Sequence, residues 1–422
     1  MNHRYDPNYR FNFLVNVLDG GFLGSAFGFA SFVTIVPLFV SAMTDSAVLI
    51  GLASAIHVIG WQLPQLLTVD KVTRLSCYKP MVLWMTIHER IPFFGLALVA
   101  WFLPALEVKL ALTLTFILLI WQGLGGGFTA TAWQSMIGKI IPAAGRGAFF
   151  GVQSAAVNIG GGLSAVLAGL LLEWYESPLN FTFCFILAGA AMMLSFFFLA
   201  LTREAENPPA NVTPQRISFW NQFGAILVRD GNFRWFLVAR SLLQLAVMAS
   251  GFYAVYAVRY HHMSEAVAGL MTGVFMGTQI AANPLLGWLG DRLGHRLVMS
   301  VGAYAAAAAA LLAWLAQDVN WFYVVFALAG VANIASWTTP LPLTLEFGTT
   351  AEKPAYIGLA NTLVAPSTIL APLIGGWLAD SAGYPSTFAV SAVCGLIAAA
   401  VLQLLMRDPH RTLRYESVGV SD

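Results

Sequence analysis

The feature that most limits what this chain can become is the confinement of its charges. Long apolar stretches follow one another almost end to end, and charged residues gather in the short turns between them. Only 10% of residues are Asp, Glu, Lys or Arg against 58% hydrophobic, and the mean hydropathy is +0.74. A water-exposed shell needs far more charge, so a soluble globule of 422 residues is excluded. Hydrocarbon offers no partner to an unpaired backbone N–H or C=O, and continuous apolarity lacks the alternation of a membrane barrel. The chain therefore reads as an all-α membrane protein. With net charge +1 and no basic face, no nucleic-acid partner is expected. Cys77, Cys184 and Cys394 lie far apart without metal-ligand spacing and read as small apolar side chains, so no metal, disulfide framework or cofactor is expected.

Cutting the apolar stretches at charges and at Pro/Gly/Asn turns gives twelve expected spans: 11–43, 47–69, 80–103, 110–137, 147–174, 180–201, 233–260, 264–290, 297–316, 321–345, 355–380 and 385–406. The first ten residues are polar and the run after them is too long for a signal-peptide core, so the first span is expected to stay in place. Of the 21 Lys and Arg residues, Lys109 and Arg259 fall on one side, Arg90 and Arg240 fall inside spans, and the other 17 lie on the side of the N-terminus. That bias puts both termini in the cytoplasm, in a plasma (inner) membrane.

The longest connection, with Pro208, Pro209 and Pro214, divides the chain into a six-helix half (1–201), a cytoplasmic loop (202–232) and a second six-helix half with a short tail (233–422). Short sequences recur in order between the halves. Phe13-Leu14-Val15 returns as Phe236-Leu237-Val238, Asp70-Lys71 as Asp291-Arg292, and Ala148-Phe149-Phe150-Gly151 as Ala355-Tyr356-Ile357-Gly358, at offsets of 223, 221 and 207. Such spacing favours a duplicated six-helix unit.

The most specific motif lies between spans 8 and 9: Gly287-x-x-x-Asp291-Arg292-x-Gly294-x-Arg296. Here the chain resembles the major facilitator superfamily, whose signature loop has this pattern. Pro372-x-x-Gly375-Gly376 with Asp380, Gly383 and Phe388 resembles the family's second half. The first-half copy departs from the pattern, with Leu66 and Thr73 in place of glycines, while Asp70, Lys71 and Arg74 remain. The resemblance implies twelve transmembrane helices in two pseudo-symmetric halves and a latch at this loop. Gly287 would let helices approach, Asp291 would cap span 5 beside Arg146, and Arg292 or Arg296 would meet Glu346 at the end of span 10. An ordinary turn held by lipid phosphates is the plain alternative.

Glycines Gly20, Gly24 and Gly28, and again Gly269, Gly273 and Gly277, form ridges for close helix contact. Gly160-Gly161-Gly162 softens span 5, although the proline that marks antiporters of the family there is missing.

Charges inside spans are the best pointer to function, since each is costly without a partner or water. Away from the span ends they are Asp19, Glu89, Arg90 and Arg240. Asn12, Asn16 and Asp19 share a helical face, as do Arg240 and Gln244. By the resemblance, spans 1, 4, 7 and 10 line a central cavity, which would hold Asn16, Asp19, Gln122, Arg240, Gln244, Asn333 and Trp337. Arg240 would bind a substrate anion or pair with Asp19. Glu89 and Arg90 lie on an outer span by the same analogy, as a transport element or as a buried pair tying span 3 to span 1. His57 and His88 read as packed histidines before proton relays, and Trp61, Trp121 and Trp133 as interface or belt residues.

No phosphate-binding glycine loop, zinc-protease motif or serine elbow occurs, so the chain is not expected to be an enzyme or an ATP-driven pump. Energy must come from a gradient. The expected function is secondary active transport of a small organic solute by a monomer, coupled to protons through Asp19 and Glu89, with export as antiporter-type efflux. Uptake of a sugar-like or anionic metabolite is the alternative, and a transport-inactive sensor or scaffold the reading from another class.

Overall fold

The structure, a computed structural model, describes residues 8–62, 64, 68, 71–72, 75–206, 219–348 and 353–409. Every regular element among them is helical: α1 (Tyr9–Phe29), α2 (Ile35–Ser41), α3 (Ala47–Gln62), α4 (Lys79–Trp101), α5 (Val108–Ile140), α6 (Ala143–Trp174), α7 (Leu179–Ala200), α8 (Phe219–Arg229), α9 (Gly231–His261), α10 (Glu265–Leu293), α11 (His295–Leu315), α12 (Trp321–Thr344), α13 (Lys353–Ala382) and α14 (Tyr384–Leu405). Among the described residues nine of these are long and apolar enough to cross a membrane: α4 to α7, α9 and α11 to α14. The other three expected spans fold as helices outside that count. Ala47–Gln62 is short, Tyr9–Phe29 carries Asn12, Asn16 and Asp19, and Glu265–Leu293 is diluted by glycines, Gln279 and Asn283.

Local chemistry sets the breaks. Pro92 restarts α4 after Arg90, because proline has no N–H to return to the preceding turn. Gly294 (φ +94°) and Gly383 (φ +82°) make the tight turns into α11 and α14, where a side chain would strain the backbone.

The described residues fall into two compact units. One holds the residues up to Asp45, those from Leu52 to the linker, and His262–Gly277; the other holds Ser46–Gly51, the stretch from the linker to His261, and the residues from Thr278 onward. These limits differ from the expected boundary at 202–232 by two short exchanges, each with a visible cause. Asp380 at the end of α13 caps the start of α3, accepting from Ala47 N–H (2.5 Å), Val48 N–H (3.2 Å) and the Ser46 hydroxyl (3.1 Å). At the start of α10, Gly269 lies so close to α6 that an added Cβ would sit 2.6 Å from the Cα of Gly169.

In the first unit, α1 packs on α6 and α7. An added Cβ would meet Gln153 Cγ at 2.7 Å from Gly20, Val157 Cα at 2.6 Å from Gly24 and Ser164 Cβ at 2.8 Å from Gly28. The expected glycine ridge is thus a contact surface. The Gly160-Gly161-Gly162 run belongs to the same kind of surface, since a Cβ on Gly160 would press Ser25 Oγ at 2.7 Å and one on Gly161 would press Met276 Sδ at 2.6 Å. In the second unit, Phe233, Phe236, Phe347 and Tyr356 cluster with the buried alanines of α11, including Ala303 and Ala306. Asp230 caps α9 by accepting from Phe233 N–H (2.9 Å) and takes the Tyr356 hydroxyl on its other oxygen (3.0 Å).

One device occurs twice. The amide of Asn12 donates to the carbonyl of Arg203 and accepts from its N–H, both at 2.8 Å. Asn232 does the same with Arg407, at 2.9 and 2.7 Å. Each bond pair ties the start of a unit's leading long helix to the chain just past its last one. The next residue after the first clamp, Glu204, accepts from the N–H groups of Tyr78 (2.9 Å) and Lys79 (2.7 Å) at the start of α4 and pairs with Lys139 at 2.9 Å. Burial pushes the Glu204 carboxyl up, but Lys139, the two N–H groups and the Cys77 thiol outweigh it and hold the group below the usual carboxylate range.

Candidate functional site

The site is built from three helices of the first unit. On α4 the order Thr86-x-x-Glu89-Arg90 places Thr86 and Arg90 one turn apart, so the guanidinium folds back onto its own helix and donates from Nη1 to the Thr86 carbonyl (3.1 Å) and hydroxyl. Nε donates to the Met192 carbonyl of α7 at 3.1 Å, and Nη2 to Ser195 Oγ at 2.9 Å. The Ser195 hydroxyl donates in turn to Asp19 Oδ1 of α1 at 2.6 Å, and Nη2 stands 3.6 Å from that oxygen. Glu89 Oε2 lies 3.8 Å from Nη1. Glycines of α5 make room: a Cβ on Gly126 would fall 2.9 Å from Glu89 Oε1, and one on Gly125 would fall 2.5 Å from the carbonyl carbon of His88.

Asp19, Glu89 and Arg90 are 4%, 9% and 2% exposed, so these charges are held away from bulk solvent. They border a cavity of about 240 Å³ whose wall includes Trp61, Trp133 and Gln153. Arg90 has an acceptor on each of its three nitrogens, and Asp19 has a hydroxyl and a cation. Glu89 has only the 3.8 Å approach of Arg90, and its side chain is 11% open where it borders the cavity. Among the described residues two carboxylates thus face one guanidinium in a buried pocket, leaving one negative charge to be balanced.

The other residues singled out in the sequence take different places. Asn16 donates to Asn12 O (2.8 Å) and Thr202 Oγ1 (3.0 Å), while Gln153 Nε2 donates to the Asn16 carbonyl at 3.0 Å. It braces the chain after α7 and does not border the cavity. Gln122 is buried against His57, Oε1 to Nδ1 at 2.9 Å, in an aromatic nest of Phe27 and Phe32. His88 accepts from Trp121 Nε1 at 3.1 Å, so both intramembrane histidines are packed and partnered. Arg240 donates from Nη2 to Asn361 Oδ1 at 3.2 Å, whereas Asp19 is taken up by Arg90. Gln244 is buried, Asn333 half-buried and Trp337 37% exposed.

At the signature loop the partners differ from expectation. Glu346 pairs with His295 Nδ1 at 2.6 Å instead of Arg292 or Arg296, because the turn at Gly294 aims the next residue at the end of α12. Arg292 covers the Trp288 ring at 4.5 Å, and Arg296 donates to the carbonyls of Met406 (2.7 Å) and Leu402 (3.4 Å). Asp291 is 80% open, with His295 Nε2 at 3.9 Å on its own side. No described atom comes within 4 Å of a Cβ built on Gly287, so this glycine is not a close-approach point here. Arg146 donates to the carbonyls of Gly138 and Ile141 and closes the end of α5. Lys71 is exposed, and Asp70 lies outside the described residues.

Sequence reasoning missed Thr86, Ser195 and Gln153. The signals were present: Thr86 is one turn from Arg90, and Ser195 is a lone hydroxyl in the run Leu194–Phe198.

Residues 237–418 match the profile of the Major Facilitator Superfamily. The second half of the chain is thus similar to the major facilitator superfamily. Multidrug resistance protein 1 of Bacillus subtilis is 25% identical over 151 residues, 36% of this chain and 38% of that protein. The matched stretch therefore spans well under half of that relative. An uncharacterised MFS-type transporter of Methanocaldococcus jannaschii is 21% identical over 286 residues, 68% of this chain and 73% of its own. Among solved structures, the nucleoside transporter NupG superposes with a TM-score of 0.74 at 13% identity, covering 94% of this chain and all (100%) of that one. At that identity the likeness is one of fold, and it is the major facilitator fold.

Proposed function

We propose that this transporter exports a small organic solute in exchange for protons, and that Glu89 carries the proton. The observation behind this reading is the charge count at the cavity: among the described residues Asp19 and Glu89 face Arg90 alone, and Asp19 is already held by Ser195. A proton on Glu89 removes the uncompensated charge, and its loss restores it, so the occupancy of this carboxyl can bias the conformations through which a carrier alternates access. Asp19 acts as the fixed counter-ion of Arg90. The likeness to a multidrug resistance protein of Bacillus subtilis supports the outward direction. The distribution of Lys and Arg supports an orientation with the linker and both ends of the chain in the cytoplasm. The two six-helix halves, 1–201 and 233–422, are the moving parts, and a monomer suffices.

The test is flux in proteoliposomes under an imposed pH gradient, using radiolabelled organic solutes of either charge sign. Wild-type flux should follow the gradient. Glu89→Gln should retain solute exchange but lose the response to the gradient, and Asp19→Asn should retain part of it. Gradient-driven flux that survives intact in Glu89→Gln would end this reading.

A further inference from the structure

The second unit holds a cation, Arg240, whose charge no carboxylate among the described residues answers. Arg240 lies on α9, roughly 13 Å along the helix from Gly231, and Asn361 lies at a similar depth on α13. A guanidinium carries five N–H donors. Here Nη2 reaches Asn361 Oδ1 at 3.2 Å, and Nε is buried without an acceptor. Among the described residues no carboxylate pairs with Arg240. The contrast with Arg90 is direct, since there all three nitrogens are engaged and two carboxylates stand within 4 Å.

An uncompensated charge inside a span is among the more costly arrangements in a membrane protein and persists where it meets water or a ligand. The surroundings agree with that. Arg240 is half-buried and Asn361 is exposed, so the pair has an open side. An amide and a guanidinium open to lipid at that depth would be costly, which makes the open side wet.

We infer that Arg240 and Asn361 form the receptor for an anionic group on the transported solute, a carboxylate. The planar fork of Nη1 and Nη2 matches the two oxygens of a carboxylate, and the Asn361 Nδ2 amide adds a donor beside it. Gln244, one turn further along α9 and 5% exposed, lies on the same helical face. The inference rests on the reading of the chain as a solute carrier and deepens it by naming the charge class of its cargo. It places cargo recognition in the second unit and proton binding in the first.

The test is equilibrium binding to the full-length protein in nanodiscs at one fixed pH, read by calorimetry with empty discs subtracted. The probes are benzoate, octanoate and glutarate, set against the neutral benzamide and the cationic benzylamine. Wild type should bind at least one carboxylate and neither control. Arg240→Gln should weaken that carboxylate about tenfold or more, and Asn361→Ala should weaken it by less. Arg240→Lys keeps the charge without the fork and should fall between, which separates recognition from misfolding. Equal carboxylate binding in wild type and Arg240→Gln, binding of benzylamine in preference to benzoate, or failure of all three carboxylates to bind wild type would overturn the inference. Because binding is read without a gradient, the two readings fail separately. Gradient-driven flux with unchanged carboxylate binding in Arg240→Gln removes only the receptor, and carboxylate binding lost in Arg240→Gln without gradient-driven flux removes only the coupling.

Discussion

The two units repeat one frame and fill it with different chemistry. At the linker-side ends they agree closely: Asn12 clamps Arg203 in one, Asn232 clamps Arg407 in the other, and a carboxylate, Glu204 or Asp408, follows each clamped arginine. In the interior they part. The first unit buries Asp19, Glu89 and Arg90 together beside a cavity, whereas the second packs α11 with alanines such as Ala303, Ala306 and Ala310 and leaves Arg240 with a neutral partner. The repetition lies where the chain must be held in register, and the divergence lies where charge can be used. Two arginines at membrane depth therefore have opposite standing, one saturated and one waiting for an anion.

The largest expected effect tests that contrast. Arg90→Met removes the one cation that, among the described residues, faces two buried carboxylates and should cost about 3–5 kcal/mol, read as a loss of thermal stability in nanodiscs. The same change combined with Asp19→Asn and Glu89→Gln should recover most of it. Arg240→Met, by removing an unpaired cation, should be neutral or stabilising by about 1 kcal/mol, at the expense of function. Equal losses in the two single variants would break the comparison.

Next in size is close packing. Gly24→Ala would press a methyl group against the backbone of Val157 and should destabilise by roughly 1–3 kcal/mol. Gly277→Ala has open space around it and should be tolerated or slightly stabilising through helix propensity. The same stability assay would show whether the second ridge is a contact along its whole length.

The clamps should give similar and smaller numbers. Asn12→Ala and Asn232→Ala each delete two hydrogen bonds, about 1–2 kcal/mol, with the fully buried Asn12 at the upper end. A large loss from one and none from the other would show that the repeated geometry is not a repeated function.

The smallest effect is pH-dependent. The folded-state Glu204 titrates below its unfolded value, so its contribution is present at neutral pH and is lost as pH falls through the carboxylate range toward the depressed value. Glu204→Gln should lower stability by about 1 kcal/mol at pH 7 and converge on wild type in acid. A constant difference at every pH would mean that the side chain acts through shape alone.

Much of the fold is legible in the sequence because hydrocarbon leaves so few options. Apolar length announces spans such as α7 and α14, and Gly294 and Gly383 announce turns that only glycine fills without strain. The cluster members Asp19, Glu89 and Arg90 are legible too, as rare charges inside spans. What periodicity does not reveal is which helix stands opposite. Asn12, Asn16 and Asp19 do share a face of α1, but the first two serve the chain after α7, and only Asp19 reaches the cavity wall. Likewise the signature motif marks Arg292 and Arg296 as charged, while the partner of Glu346 is the intervening His295, set by the direction in which the backbone leaves Gly294.

The twin asparagine clamps bear on how freely the gene can be rearranged. Each bundle is drawn closed by one of its own asparagine side chains at the point where its stretch of polypeptide enters and leaves, so this tie does not depend on backbone continuity between the two. A chain lengthened there by a foreign insert would keep both clamps, and with them the tie between the entry and the exit of each bundle.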